Sequence, residues 1–88
     1  MFLTELKDTI ELMNSEDYVA RFKAEYWQTK IRYDKLCSML IKERAGKLDF
    51  TPTCGFDLLE DQKYYMNEYL NVLRVRAEIE GINLNDVA

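Results

Sequence analysis

The chain has no histidine. This removes the commonest general base and the commonest metal ligand from any mechanism. There is one proline, Pro52, and three glycines, too few for a flexible linker or a low-complexity segment. The two cysteines, Cys37 and Cys54, lie too far apart for paired zinc-ligand spacing. Cys37 falls beside an apolar stripe, where a small buried residue is expected. No glycine-rich phosphate loop and no nucleophile elbow is present. No apolar run approaches the ~20 residues that a membrane-spanning helix needs. The opening Met1-Phe2-Leu3-Thr4-Glu5 lacks the basic start and apolar centre of a signal peptide. Basic charge is not in surplus either. Twelve Lys and Arg stand against sixteen Asp and Glu, a net charge of −4. The signs are mixed along the chain, which argues against sequence-specific nucleic-acid binding, because that needs a concentrated basic face. These absences together predict a protein with no catalytic residues, no metal and no cofactor, working in a reducing cytoplasm.

What remains is helix. Hydrophobic residues make up 48% of 88 positions, enough for one small folded domain rather than a disordered chain. Val19, Phe22, Tyr26, Thr29, Tyr33, Leu36 and Leu40 recur every three or four residues, and Trp27, Ile31 and Ile41 widen the stripe. Arg21, Lys23, Glu25, Gln28, Arg32, Asp34 and Lys35 make up the opposite, solvated face. This spacing predicts one long helix over 15–45, about 45 Å at 1.5 Å per residue. Ser15 is the expected N-cap and Gly46 the expected terminator.

Leu3, Leu6, Ile10 and Met13 predict a short amphipathic helix over 3–13 that must dock on something. Residues 46–55 read as a loop, with Pro52 holding Thr51 extended and Leu48 and Phe50 tucked under the hairpin end. A last helix is expected over 56–80. Its seam is read as Leu58, Gln62, Tyr65, Tyr69, Val72, Arg76 and Ile79, with Leu59, Met66, Leu73 and Ala77 beside it. After Gly81, Ile82 and Leu84 are expected to fold back onto the last turn, and residues 85–88 to fray. The fold class is all-α: a short N-terminal helix, then a long antiparallel helical hairpin. Two such helices cannot hide all their apolar surface against each other, so self-association through the hairpin face is expected.

Candidate binding residues are those that break the pattern. Gln62 and Arg76 occupy seam positions of the last helix where apolar side chains belong. An arginine there needs a carboxylate, a carbonyl or an anionic ligand; Glu80, one turn on, is one candidate partner. Antiparallel pairing is expected to bring Tyr26 and Tyr33 near Arg76, with Trp27 and Tyr69 close by. Rings beside an arginine suit a nucleotide, and equally a wet-edged subunit interface. Arg74 and Glu78 read as a solvated i,i+4 pair.

Three segments carry a resemblance. They are Tyr18-Val19-Ala20-Arg21-Phe22-Lys23-Ala24-Glu25-Tyr26 with Ile31-Arg32-Tyr33-Asp34-Lys35-Leu36, then Gly46-Lys47-Leu48-Asp49-Phe50-Thr51-Pro52-Thr53-Cys54, then Arg76-Ala77-Glu78-Ile79-Glu80-Gly81-Ile82. Together they resemble a family of small tailed-phage and prophage proteins named after an open reading frame of a crAss-like phage. Many relatives have proline where this chain has Gly55. The resemblance implies a phage or mobile-element origin and action in the host bacterial cytoplasm. It supplies no catalytic residues. By analogy with other small phage proteins, it suggests binding that antagonises bacterial defence, either by sequestering a nucleotide immune signal or by docking on a host immune effector. The alternative is a structural, assembly or host-takeover accessory role through contacts with host or phage proteins.

Overall fold

The computed structural model describes residues 3–87. Among them there is no strand. A 3-10 turn, Leu6–Thr9, passes directly into one α-helical turn, α1, Ile10–Met13. The long helices follow as α2, Tyr18–Arg44, and α3, Phe56–Glu80. The molecule measures 42 × 24 × 19 Å, its length set by the α2–α3 hairpin.

Each helix boundary has a local cause. α2 begins later than the expected residue 15. Asp17 is its N-cap, and its carboxylate accepts from the Val19 N–H at 3.1 Å. Ser15 caps the preceding turn instead, its hydroxyl accepting from the Asp17 N–H at 3.0 Å. A carboxylate satisfies a first-turn N–H and also meets the positive end of the helix dipole. At the far end Gly46 adopts φ 72°, and the Lys47 N–H reaches back to the Lys42 carbonyl at 2.8 Å. This left-handed turn closes the last carbonyls of α2, and a Cβ would strain it.

The core lies where α2 crosses α3. Phe22, Tyr26, Leu70, Leu73 and Ala77 form a buried cluster, with Trp27, Tyr33, Ile82 and Leu84 packed around it. The α2 stripe agrees with the sequence reading, since Phe22, Tyr26, Leu36 and Leu40 are all buried. The α3 seam does not. Leu70 and Leu73 are wholly buried, whereas Leu58, Tyr65, Val72 and Ile79 are 55–79% exposed. The buried seam runs one residue later, through Leu59, Met66, Leu70, Leu73 and Ala77. At 100° per residue, that shift turns α3 by over a quarter turn and carries Gln62 and Arg76 to the surface.

α2 is also covered on its back. Ala24 and Ile31 are buried on the face turned away from α3, where the N-terminal segment packs. Thr9 is fully buried there. Its hydroxyl donates to the Leu6 carbonyl at 2.8 Å and accepts from the Gln28 amide at 2.9 Å. Gln28 therefore lies under this segment rather than in water. The segment is a tight turn because Asp8 folds back: its carboxylate accepts from the Glu5 and Thr4 N–H groups at 3.0 and 3.3 Å. These bonds hold the Asp8 carboxyl below its ordinary value. Two other expectations need correcting. Phe50 is 53% exposed rather than tucked away. Residues 85–87 are laid across α2, where the Lys23 ammonium donates to the Asp86 carbonyl and Val87 lies beside Leu3 and Ala20. Ala88 is outside the described residues.

Two measurements check this arrangement. Leu73→Ala is expected to cost about 2–5 kcal/mol in denaturant unfolding, the range for a truncated core leucine, whereas Val75→Ala stays within about 0.5 kcal/mol. Asp8 stabilises its turn as a carboxylate, so that contribution is complete above its unfolded pKa and fades as pH falls through its lowered folded value. The Thr4 and Glu5 amide resonances should accordingly titrate with a midpoint below the ordinary aspartate value. In Asp8→Asn that titration should vanish.

Candidate functional site

The site is built where the last turns of α3 meet the first half of α2. Gly81 takes φ 70° and the Ile82 N–H donates to the Ala77 carbonyl at 2.8 Å, which turns the chain back on itself. Ile82 and Leu84 then pack on the core cluster, as the sequence led one to expect. The tail is held by the Trp27 indole N–H, which donates to the Leu84 carbonyl at 2.7 Å. Trp27 in turn stands edge-on to Tyr26, ring centroids 5.3 Å apart at 88°. An open groove of about 540 Å³ results, lined by Tyr26, Arg74, Ala77, Glu78 and residues 81–85. That volume falls within the ~300–1,000 Å³ usual for small-molecule sites.

Its polar groups converge from three directions. Arg74 comes from α3, with its guanidinium carbon 5.7 Å from the centre of the Tyr26 ring. The Arg74 Nε donates to the Tyr26 hydroxyl at 3.3 Å and one terminal nitrogen donates to Asn71 Oδ1 at 2.9 Å. Both acceptors are neutral. Among the described residues Arg74 makes no ion pair; the expected partner Glu78 does not meet it. Glu78, Asn83 and Asn85 add a carboxylate and two amides along the rim. Tyr33 flanks the same cluster, and the Cys37 thiol beside its hydroxyl, with burial, pushes its phenol above the ordinary value, partly countered by the charge of Arg74. Tyr33 stays a neutral hydroxyl at physiological pH.

The other sequence candidates lie elsewhere. Arg76 sits on the far side of α3, stacked 4.8 Å over the Phe22 ring. It is paired as expected with Glu80 at 3.4 Å, and it donates to the Tyr18 hydroxyl at 2.9 Å. The Tyr18 hydroxyl donates in turn to Glu80 at 2.8 Å, and this bond pushes the Tyr18 phenol up. Tyr69 donates to the Glu25 carboxylate on the same side. Gln62 is exposed, with its amide 3.7 Å from the Met66 sulfur. The structure therefore gathers Tyr26, Trp27 and Tyr33 as one group, but around Arg74 rather than Arg76, and leaves Arg76, Gln62 and Tyr69 along another face. Glu78, Asn83 and Asn85 were not marked by the sequence reading. The usable signal was the tail: a helix-ending Gly81 followed by two apolar residues brings its polar neighbours back over the core.

Among the described residues no cluster of three His, Cys, Asp or Glu side chains could hold a metal ion, and no helix is long and apolar enough to cross a membrane. No curated protein and no solved structure gives a significant match to the chain. One family model, Sequestin, matches residues 16–79, a span that covers nearly all of α2 and α3 and leaves out the tail wall of the groove. With most of its length matched, the chain belongs to the Sequestin family.

Proposed function

We propose that this protein is a non-enzymatic phage or mobile-element binder that holds a small nucleotide immune signal in the Arg74 groove and so keeps it from a bacterial defence system. The observation that carries the reading is an arginine with neutral partners, facing a groove beside two aromatic rings set edge to face. A guanidinium that hydrogen-bonds only neutral acceptors retains its full charge for a ligand, and its fork matches two oxygens of a phosphate. The Asn83 and Asn85 amides and the Glu78 carboxylate offer donors and acceptors to ribose hydroxyls and base edges. The family name speaks of sequestering and supports this use; the resemblance to phage proteins supports action in the host cytoplasm. Arg76 is a weaker candidate, since Glu80 already offsets its charge. We also propose that the protein acts as a homo-oligomer. Docking on a host immune effector is the competing mode, and the exposed side of the hairpin is the observation in its favour.

Thermal-shift measurement with cyclic and linear nucleotides tests the reading. A ligand at about 100 times its Kd should add about 2.7 kcal/mol to stability. Arg74→Ala should abolish that gain while leaving the helical circular-dichroism signal intact, and Arg76→Ala should retain it. Absence of any shift with every nucleotide at millimolar concentration would rule the reading out.

The tail wall can be probed separately. Trp27→Phe removes the indole donor to Leu84 and should cost about 0.5–1.5 kcal/mol. Hydrogen exchange in residues 82–86 should speed up while the middle of α3 stays protected.

A further inference from the structure

The exposed side of α3 is itself patterned. Leu58, Tyr65, Tyr69, Val72 and Ile79 are between 41% and 79% exposed. With Gln62 and Arg76 they repeat at four- and three-residue steps over 58–79, a stripe roughly 31 Å long at 1.5 Å per residue. This is a second heptad seam, which α2 reaches at one edge, where Arg76 lies over the Phe22 ring. Along one edge it is set by contacts to α2, Tyr69 on Glu25 and Arg76 on Tyr18.

The area matches what a partner would cover. The chain exposes 6352 Å². A compact monomer of 10.5 kDa exposes about 5,400 Å². The excess, roughly 900 Å², is close to the ~800 Å² that each side contributes to a standard interface. The radius of gyration tells the same story, 15.0 Å against about 12 Å for a compact chain of this length.

We propose that this stripe is the dimer interface, with α3 packing antiparallel on α3 of a second copy about a two-fold axis near Tyr69. The inference rests on the self-association proposed above and names its surface. The polar positions of the stripe favour that direction. Gln62 and Arg76 each lie seven residues from Tyr69, so a two-fold there sets Gln62 opposite the partner's Arg76. Tyr65 and the partner's Val72, four and three residues from Tyr69, then fall within one residue of facing each other, as do Leu58 and the partner's Ile79. The charges agree. Asp57, Glu60, Asp61 and Glu68 against Lys63 leave the first half of α3 acidic, whereas the second half carries Arg74 and Arg76 with Glu78 and Glu80. Antiparallel pairing sets the acidic half near Arg76; parallel pairing would set Arg76 on Arg76 and Asp61 on Asp61. A closed two-fold contact also uses the same patch on both copies, which fits a single stripe. Arg74 projects from the other side of α3, so this interface leaves the groove open.

Native mass spectrometry and sedimentation of the full chain at micromolar concentration test it. The wild type should be dimeric. Tyr65→Lys and Val72→Glu should each weaken association at least ten-fold, and the double variant should restore it, because each lysine then faces a glutamate across the axis. Both sites are more than half exposed, so helical circular dichroism should be unchanged; should either variant unfold, Tyr65→Ala and Val72→Ala take their place. A wild type that stays monomeric at 100 times that concentration overturns both the interface and self-association. Any assembly that survives both single substitutions, or that is split instead by Phe50→Lys, overturns the interface alone. The nucleotide reading is scored apart from both, since monomeric variants should still respond to ligand through Arg74.

Discussion

The crossing of α2 over α3 at Phe22, Tyr26, Leu70, Leu73 and Ala77 is the contact on which the rest depends. Its shape follows from size. Ala77 is small, which gives the two rings of α2 room to lie close to the α3 backbone, and Leu70 and Leu73 fill the space one turn earlier. Arg76 lies over the Phe22 ring, and Ile82 and Leu84 pack against the cluster. The groove is thus a margin of the core rather than a separate structure. Tyr26 belongs to both: its ring is buried in the cluster while its hydroxyl accepts from Arg74. A groove made this way inherits its rigidity from packing.

Helix number, type and approximate bounds were legible because long periodic stripes have few other uses. The α3 register was not. Leu58, Tyr65, Val72 and Ile79 and the set Leu59, Met66, Leu73 and Ala77 both run at heptad spacing, so periodicity alone cannot tell which set faces α2. The first set is rich in aromatic and β-branched residues and looks the better core. The structure turns the second set inward, with Leu73 and Ala77 buried and the small Ala77 packed in the cluster with the α2 rings. Choosing the wrong set moved the arginine by two residues and exchanged Arg74 for Arg76 as the neighbour of Tyr26. The back of α2 was hidden for a different reason. Ala24 and Ile31 are too few to announce a stripe, and Gln28 looks solvated until Thr9 is seen above it. Burial by a neighbouring segment is tertiary information.

α2 is the middle layer, with α3 on one side and the N-terminal segment on the other. This explains how a small chain supports a helix of 27 residues. It also divides the molecule. The half of α2 from 18 to 31 is covered from both sides and by the tail. The half ending at Arg44 has α3 on one face, the loop near Leu48 and Phe50 beside it, and Glu5 of the N-terminal segment reaching Lys35 at 3.3 Å. Recognition chemistry gathers at the doubly covered end, where side chains have fewer alternative positions.

Trp27 is the single tryptophan of the chain, and it sits at the one corner where core, tail and groove meet. Its indole touches the Leu84 carbonyl and the edge of the Tyr26 ring, so its emission samples the polarity of that corner and little else. Release of residues 82–85 would bathe the indole in water and redden its fluorescence. A stacking base placed in the groove would quench it. The protein therefore carries an intrinsic optical probe aimed at its own binding margin.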